Sequence, residues 1–93
     1  MSVFQSHAST EFWNLYQKLP SQVRRAADKQ FILFEQNPNH PSLHLKQVGD
    51  LWSARVNNAY RALALREGST FYWFWIGPHG EYDKILRRGL SDM

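Results

Sequence analysis

No cysteine occurs among the 93 residues of the chain. Disulfides, thiolate nucleophiles and thiolate metal ligands are therefore excluded. A zinc site would have to be made of histidines and carboxylates alone, and no motif spaces them that way. No metal and no cofactor is expected. A long hydrophobic run is also missing. The strongest apolar stretch, residues 71–76, falls far short of the roughly 20 residues a membrane helix needs. Residues 1–10 carry no basic patch followed by an apolar segment, so they do not read as a signal peptide. A soluble cytoplasmic protein without a membrane partner is the expectation. No repeat, linker or second domain is expected either.

What remains is a single domain, residues 1–93, with room for one modest core. Aromatics supply 15 % of the residues and much apolar area, unlike a disordered chain. Eleven Lys and Arg against eight Asp and Glu give a net charge of +3. That mild basic bias suits an anionic partner, nucleic acid or an acidic peptide.

Residues 9–19 read as a short helix. Ser9 or Thr10 can cap it, Glu11 lies in its first turn, and Phe12, Leu15, Tyr16 and Leu19 share one face. Pro20 ends it or begins the next element, with Ser21 a possible cap in the corner. Residues 21–36 form a second helix with Val23, Ala26, Ala27, Gln30, Phe31 and Phe34 along one stripe and Arg24, Arg25, Asp28 and Lys29 mostly opposite. The short link favours an antiparallel helical hairpin. "NPNHP", 37–41, breaks the helix. Leu43 and Leu45 then alternate with His44 and Lys46, as in a short extended stretch.

The second half alternates with period two. Trp52, Ala54 and Val56 interleave with Ser53, Arg55 and Asn57; "NNA", 57–59, reads as a turn; residues 60–66 form the next strand, with Arg61 and Leu63 on one face and Ala62 and Ala64 on the other. "EGS", 67–69, is a second turn. Residues 71–76 read as a central strand covered on both faces. "GPHG", 77–80, ends it, and residues 81–88 read as one or two helical turns. Trp13, Phe31, Phe34, Trp52 and residues 71–75 are expected mainly as core. His40 reads as loop and His7 as part of a frayed end. The class is α+β: a helical hairpin packed on one face of a three- or four-stranded antiparallel meander.

This order, and three segments within it, resemble the RelE/ParE superfamily of type II toxins. "LWSARVNNAYRALALREGSTFYWFWIGPHGEYDKIL", 51–86, is similar to the superfamily's C-terminal half: an arginine on the first hairpin strand, a tyrosine–arginine pair opening the next, an apolar strand, then a histidine and a tyrosine. "NPNHPSLHLKQV", 37–48, resembles the segment joining the second helix to the sheet, and "LPSQVRRAADKQFILF" the second helix itself. The likeness spans roughly residues 10–87. It implies a RelE-like fold, in which a helical hairpin packs on a small twisted antiparallel sheet, and a toxin neutralised by a cognate antitoxin. Many members cleave mRNA, often on the ribosome, without metal. The ParE branch instead inhibits DNA gyrase. A harmless antitoxin-binding module is a third reading.

RNA cleavage by 2'-hydroxyl attack needs a base, an acid for the leaving 5'-oxygen and a cation at the phosphorus. Arg61 matches the family's phosphate-stabilising arginine, and its guanidinium suits bidentate phosphate contact; otherwise it is a solvated strand residue. Arg55, on a strand face with Ser53 and Asn57, can hold the scissile or a neighbouring phosphate, or pair with a carboxylate in the sheet. His79 sits in a close-approach loop and can serve as acid or base; the alternative is a turn histidine without a role. Tyr82 can donate to the leaving oxygen, stack on a base, or simply pack. Glu81 can act as a base, orient His79 or stand solvated. Lys46 can contact RNA, and His44 can replace His79 as base; both are otherwise ordinary surface residues. Arg24, Arg25 and Lys29 form a basic helix face, solvated by default, that suits an antitoxin's acidic segment or ribosomal RNA. Where ribosome-dependent members crowd several lysines around the site, this chain has Lys46 alone.

Overall fold

The computed structural model describes residues 4–91, in the order β1 (Gln5–Ala8), α1 (Thr10–Gln17), α2 (Ser21–Gln36), a 3-10 turn (Pro41–Leu43), β2 (Lys46–Val48), β3 (Leu51–Arg55), β4 (Tyr60–Glu67), β5 (Thr70–Pro78) and α3 (His79–Ser91). Ser9 is the cap of α1: its Oγ accepts from the Phe12 amide at 3.1 Å, and Glu11 follows in the first turn. Ser21 caps nothing. Pro20 occupies the cap position of α2, and its carbonyl accepts from the amides of Val23 and Arg24. At Asn37 the backbone turns extended and α2 ends, one residue before Pro38.

The sheet has the order β1-β5-β4-β3-β2. From β2 to β5 it is an antiparallel meander. Two of its hairpins turn through two residues, Gly49–Asp50 and Gly68–Ser69. The glycine in each has φ near +60°, which suits the twist of the adjoining strands. The "NNA" turn forms as expected: Asn57 Oδ1 accepts from the amides of Ala59 and Tyr60, both at 2.9 Å. The extended stretch expected from Leu43 starts later. Leu43 closes the 3-10 turn, His44 takes the left-handed conformation, and the strand begins at Lys46.

The fifth strand is a departure. β1 pairs with β5 in parallel, Gln5 opposite Thr70 through Ala8 opposite Trp73. His7 therefore lies in a paired strand and not in a frayed end. Among the contacts that hold β1 in register, the Gln5 amide donates to the Ser69 carbonyl at 2.9 Å, Trp73 Nε1 donates to Ser6 Oγ at 2.8 Å, the Ser9 amide donates to the Trp73 carbonyl at 3.0 Å, and the His7 ring stacks on Tyr72. Beside β1, the Arg66 guanidinium lies 5.2, 4.8 and 5.0 Å from the ring centres of Phe4, Trp52 and Phe71.

The helix pair covers one sheet face. Leu19 and Val23 pack on Val56, Ala62 and Ile76, while Phe34 and Leu43 pack on Ala64 and Phe71. Alanines on the sheet let the helices approach closely, and Phe71 meets Phe34 edge-to-face at 5.1 Å. Strand alternation sends Ser53, Leu63 and Trp75 to the opposite face, where α3 lies. An irregularity between Leu63 and Ala64 adds Phe74 to β5 as the extra residue: Leu63 faces Trp75 and Ala64 faces Trp73.

Three expected core residues are open. Trp13 is 50 % and Phe31 42 % exposed; with Ile32 they rim an apolar cleft of about 370 Å³ between the helices and the sheet. Tyr72 is also exposed, so β5 is covered on both faces only in part. Gln30, the polar residue of the α2 stripe, earns its position by donating to the carbonyls of Ser42 and Arg55 at 3.0 and 2.8 Å. Among the described residues no helix is long and apolar enough to cross a membrane.

Candidate functional site

The site lies at one end of the α3-side face. Arg55 and Arg61 are direct partners across the β3–β4 pair, and Gly77 of β5 faces Arg61 on its other side. Two guanidinium side chains opposite one another repel, which a purely structural pairing would avoid. The turn between their strands fixes both. Arg61 Nη1 donates to the carbonyls of Asn57 and Tyr60 at 2.6 and 2.9 Å, and Arg55 Nη2 donates to Asn58 Oδ1. Arg61 uses a single nitrogen in these bonds, so most of its donors remain for a ligand. An anion can take these donors, and the second cation opposite adds to the attraction.

Gly77 keeps this end shallow. A Cβ built there would meet the Trp75 indole at 2.7 Å, so the ring lies over the glycine. Two residues on, His79 begins α3, and its amide donates to the Ala59 carbonyl at 2.8 Å. That bond ties the start of α3 to the turn that holds the arginines. His79 Nδ1 stands 3.2 Å from Asp83 Oδ2, one helical turn along. Both side chains are about half exposed, at 49 % and 40 %. An imidazole held by a carboxylate at Nδ1 presents Nε2 outward. Asp83, not Glu81, thus partners His79. Sequence reasoning passed over Asp83, although the spacing of four residues on a helix was available as a signal.

Tyr82 is 5 % exposed, and its hydroxyl donates to the buried Ser53 Oγ at 2.8 Å. The pair satisfies two polar groups that burial would otherwise penalise, and it fastens α3 to β3. Lys46 lies opposite Ser53 on β2, so it shares the arginines' face, and it is exposed. His44, also exposed, stands two residues before β2 with φ 44°. Among the described residues no hydrogen bond or ion pair joins His44 or Lys46 to the arginine pair. The structure thus brings Arg55, Arg61 and His79 to one end of the sheet, sets Tyr82 beneath α3, and leaves Lys46 and His44 toward the β2 edge. Among the described residues no group of three His, Asp or Glu side chains is placed to hold a metal ion.

The architecture is that of the RelE/ParE toxins. An Agrobacterium tumefaciens YoeB/ParE toxin superposes with a TM-score of 0.64 at 13 % identity, covering 82 % of this chain and 99 % of that one. A chain of the archaeal RelE–RelB complex from Pyrococcus horikoshii OT3 gives 0.65 at 17 % identity, covering 85 % and 98 %. A chain of the toxin–antitoxin complex RelBE2 from Mycobacterium tuberculosis gives 0.62 at 19 % identity, covering 82 % and 98 %. No protein-family model and no curated protein matches the sequence. At these identities the likeness establishes the fold, and any activity has to be argued from the side chains above.

Proposed function

We propose that this chain is the toxin of a type II toxin–antitoxin pair and an mRNA endonuclease acting in the cytoplasm. The observation that carries this reading is the opposed Arg55–Arg61 pair beside the His79–Asp83 dyad. In the reaction, Arg61 and Arg55 hold the non-bridging oxygens of the scissile phosphate. His79 Nε2 takes the proton of the adjacent 2'-hydroxyl, whose oxygen attacks phosphorus. The bond to the 5'-oxygen breaks, and that oxygen takes its proton from water. The products are a 2',3'-cyclic phosphate and a 5'-hydroxyl. The growing charge on the phosphoryl oxygens is stabilised by the two guanidinium groups, whose bonds to the 57–60 turn place them in advance. Asp83 orients the imidazole and stabilises it once charged. Tyr82 serves as the anchor of α3, because its hydroxyl is spent on Ser53. Lys46 contacts a neighbouring phosphate on the same face.

The partner in this reading is an antitoxin with a segment that orders on binding. Support comes from the P. horikoshii RelE–RelB complex and the M. tuberculosis toxin–antitoxin complex, each with a chain that shares this fold, and from the open apolar rim of Trp13, Phe31 and Ile32.

The test is to induce the protein in bacterial cells and map new RNA 5' ends. The comparison is an Arg61→Ala variant demonstrated to be folded and equally abundant. Ends bearing a 5'-hydroxyl inside translated regions, and lost in the variant, are the expected result. Growth arrest without new ends would overturn the nuclease reading in favour of a gyrase-type inhibitor. Neither arrest nor new ends would leave a non-toxic binding module.

A further inference from the structure

We infer that the part of the sheet face left open by α3 is a base-stacking platform for single-stranded RNA, made of His7, Tyr72 and Leu65; this rests on the RNA reading above. Leu63 is fully buried, yet Leu65, two residues further along the same face, is 49 % exposed. Its cross-strand partner Tyr72 is 42 % exposed. Cover therefore ends between these two rows of the sheet. Beside Tyr72, the His7 ring stacks at 5.7 Å between centres and 21° between planes. The outcome is a small open patch that is mostly aromatic and rigidly mounted. Tyr72 sits in a strand paired on both sides, and His7 is held by the register that Ser6 and Trp73 impose.

The patch has the chemistry that nucleobases meet. Flat rings at a sheet surface stack on any base, which makes them sequence-tolerant binding elements. Strand alternation puts it on the same face as Arg55, Arg61 and Lys46. The carboxylate on that face of β4, Glu67, stands beyond the platform at the hairpin end. From Tyr72 to Gly77, which faces Arg61, is five residues of strand, about 16 Å. Leu63, between the two, lies under α3, so an extended RNA of several nucleotides passes round that helix, with a phosphate on the arginines and a base on Tyr72. A polyanion with exposed π surfaces fits this combination of cations at one end and rings at the other. An aliphatic protein segment would leave the cations unmatched.

The test is binding of a short, fully 2'-O-methylated single-stranded oligoribonucleotide, which cannot be cleaved, followed by fluorescence anisotropy. Tyr72→Ala and His7→Ala should each weaken binding about tenfold. Tyr72→Phe should bind like the wild type, while Tyr72→Leu should not. The slope of affinity against salt should be unchanged in these variants and reduced by about one in Arg61→Ala. Full affinity in Tyr72→Ala and His7→Ala, with loss in Arg61→Ala, would overturn the platform and leave the RNA reading standing. No binding by the wild-type protein would overturn both. Photocrosslinking of a 5-iodouridine oligonucleotide to the wild-type protein gives a readout independent of variant folding: adducts on Tyr72 or His7 support the platform, and adducts confined to other residues overturn it.

Discussion

The hydroxyl of Tyr82 donates to Oγ of Ser53 across the interface between α3 and β3, where both side chains are at least 95 % buried. The bond comes from residues 29 apart in sequence and sets where the first turns of α3 lie. Tyr82→Phe leaves the serine hydroxyl buried without its partner. It should cost about 1–2 kcal/mol in denaturant unfolding. Ser53→Ala should cost a similar amount, and the double variant less than the sum, because the orphaned group is then gone as well. Under the proposed reaction, Tyr82→Phe should retain cleavage when the protein is folded. A loss as deep as that of Arg61→Ala would instead return Tyr82 to the chemistry.

His79 and Asp83 should separate by degree. His79→Ala should lower RNA cleavage by about 10²–10⁴-fold, the usual range for a positioned acid or base. Asp83→Asn keeps the imidazole but removes the carboxylate, so its loss should be smaller. Both side chains are half exposed, and thermal unfolding should stay near that of the wild type. Unchanged cleavage in His79→Ala would remove the dyad from the mechanism.

Tyr16 links the helix pair by donating to Asp28 Oδ1 at 2.7 Å. That hydrogen bond, then burial and then the carboxylate's charge raise the phenol above its ordinary value of 10.0, with Arg24 opposing in part. The folded state favours the protonated phenol. Its contribution to stability is therefore complete below the ordinary tyrosine pKa and is lost as pH rises through the raised one. In a spectrophotometric titration, Asp28→Asn should bring Tyr16 ionisation to lower pH. Tyr16→Phe should remove the corresponding alkaline loss of stability.

Arg66 gathers three rings from three parts of the chain: Phe4 beside β1, Trp52 of β3 and Phe71 of β5. Arg66→Ala should cost about 1–2 kcal/mol. Amide exchange should speed up most in β1, an edge strand that lies beside Phe4. Arg66→Lys should recover part of the loss, since an ammonium is attracted to the rings but cannot lie flat on them. Exchange in β1 at the wild-type rate would mean that the pairing with β5 holds the strand by itself.

Much of this fold is legible locally. The α2 stripe, the alternation in β3 and β4, the Asn57 turn and the Gly68 turn each follow from residues within a few positions of one another. The β2–β3 hairpin could also have been read, since "GD" between Val48 and Leu51 carries the same turn chemistry as "GS" between Glu67 and Thr70. Where the reading failed, the deciding partner was distant. Gln5, Ser6, His7 and Ala8 show no apolar alternation, and β1 exists because β5 offers it an edge some 65 positions later. Trp13 and Phe31 have core chemistry, and Phe31 fits the α2 stripe, but both stand half exposed at the rim of the cleft between the helices and the sheet. At the site, Arg61 and Arg55 were visible from alternation. Their direct opposition needed the register, and the burial of Tyr82 needed Ser53 on another element.

The parallel strand at the edge has a consequence for biosynthesis. β1 is synthesised some 65 residues before its pairing surface, Thr70–Trp73. Closing so long a loop makes this contact slow to form, and until then the edge of β5 stands unpaired. Gln5–Ala8 must therefore wait unpaired while the residues between them and β5 are made. A second nascent copy could donate its own Gln5–Ala8 to a waiting β5 edge, which makes strand exchange between chains the misassembly this topology most invites.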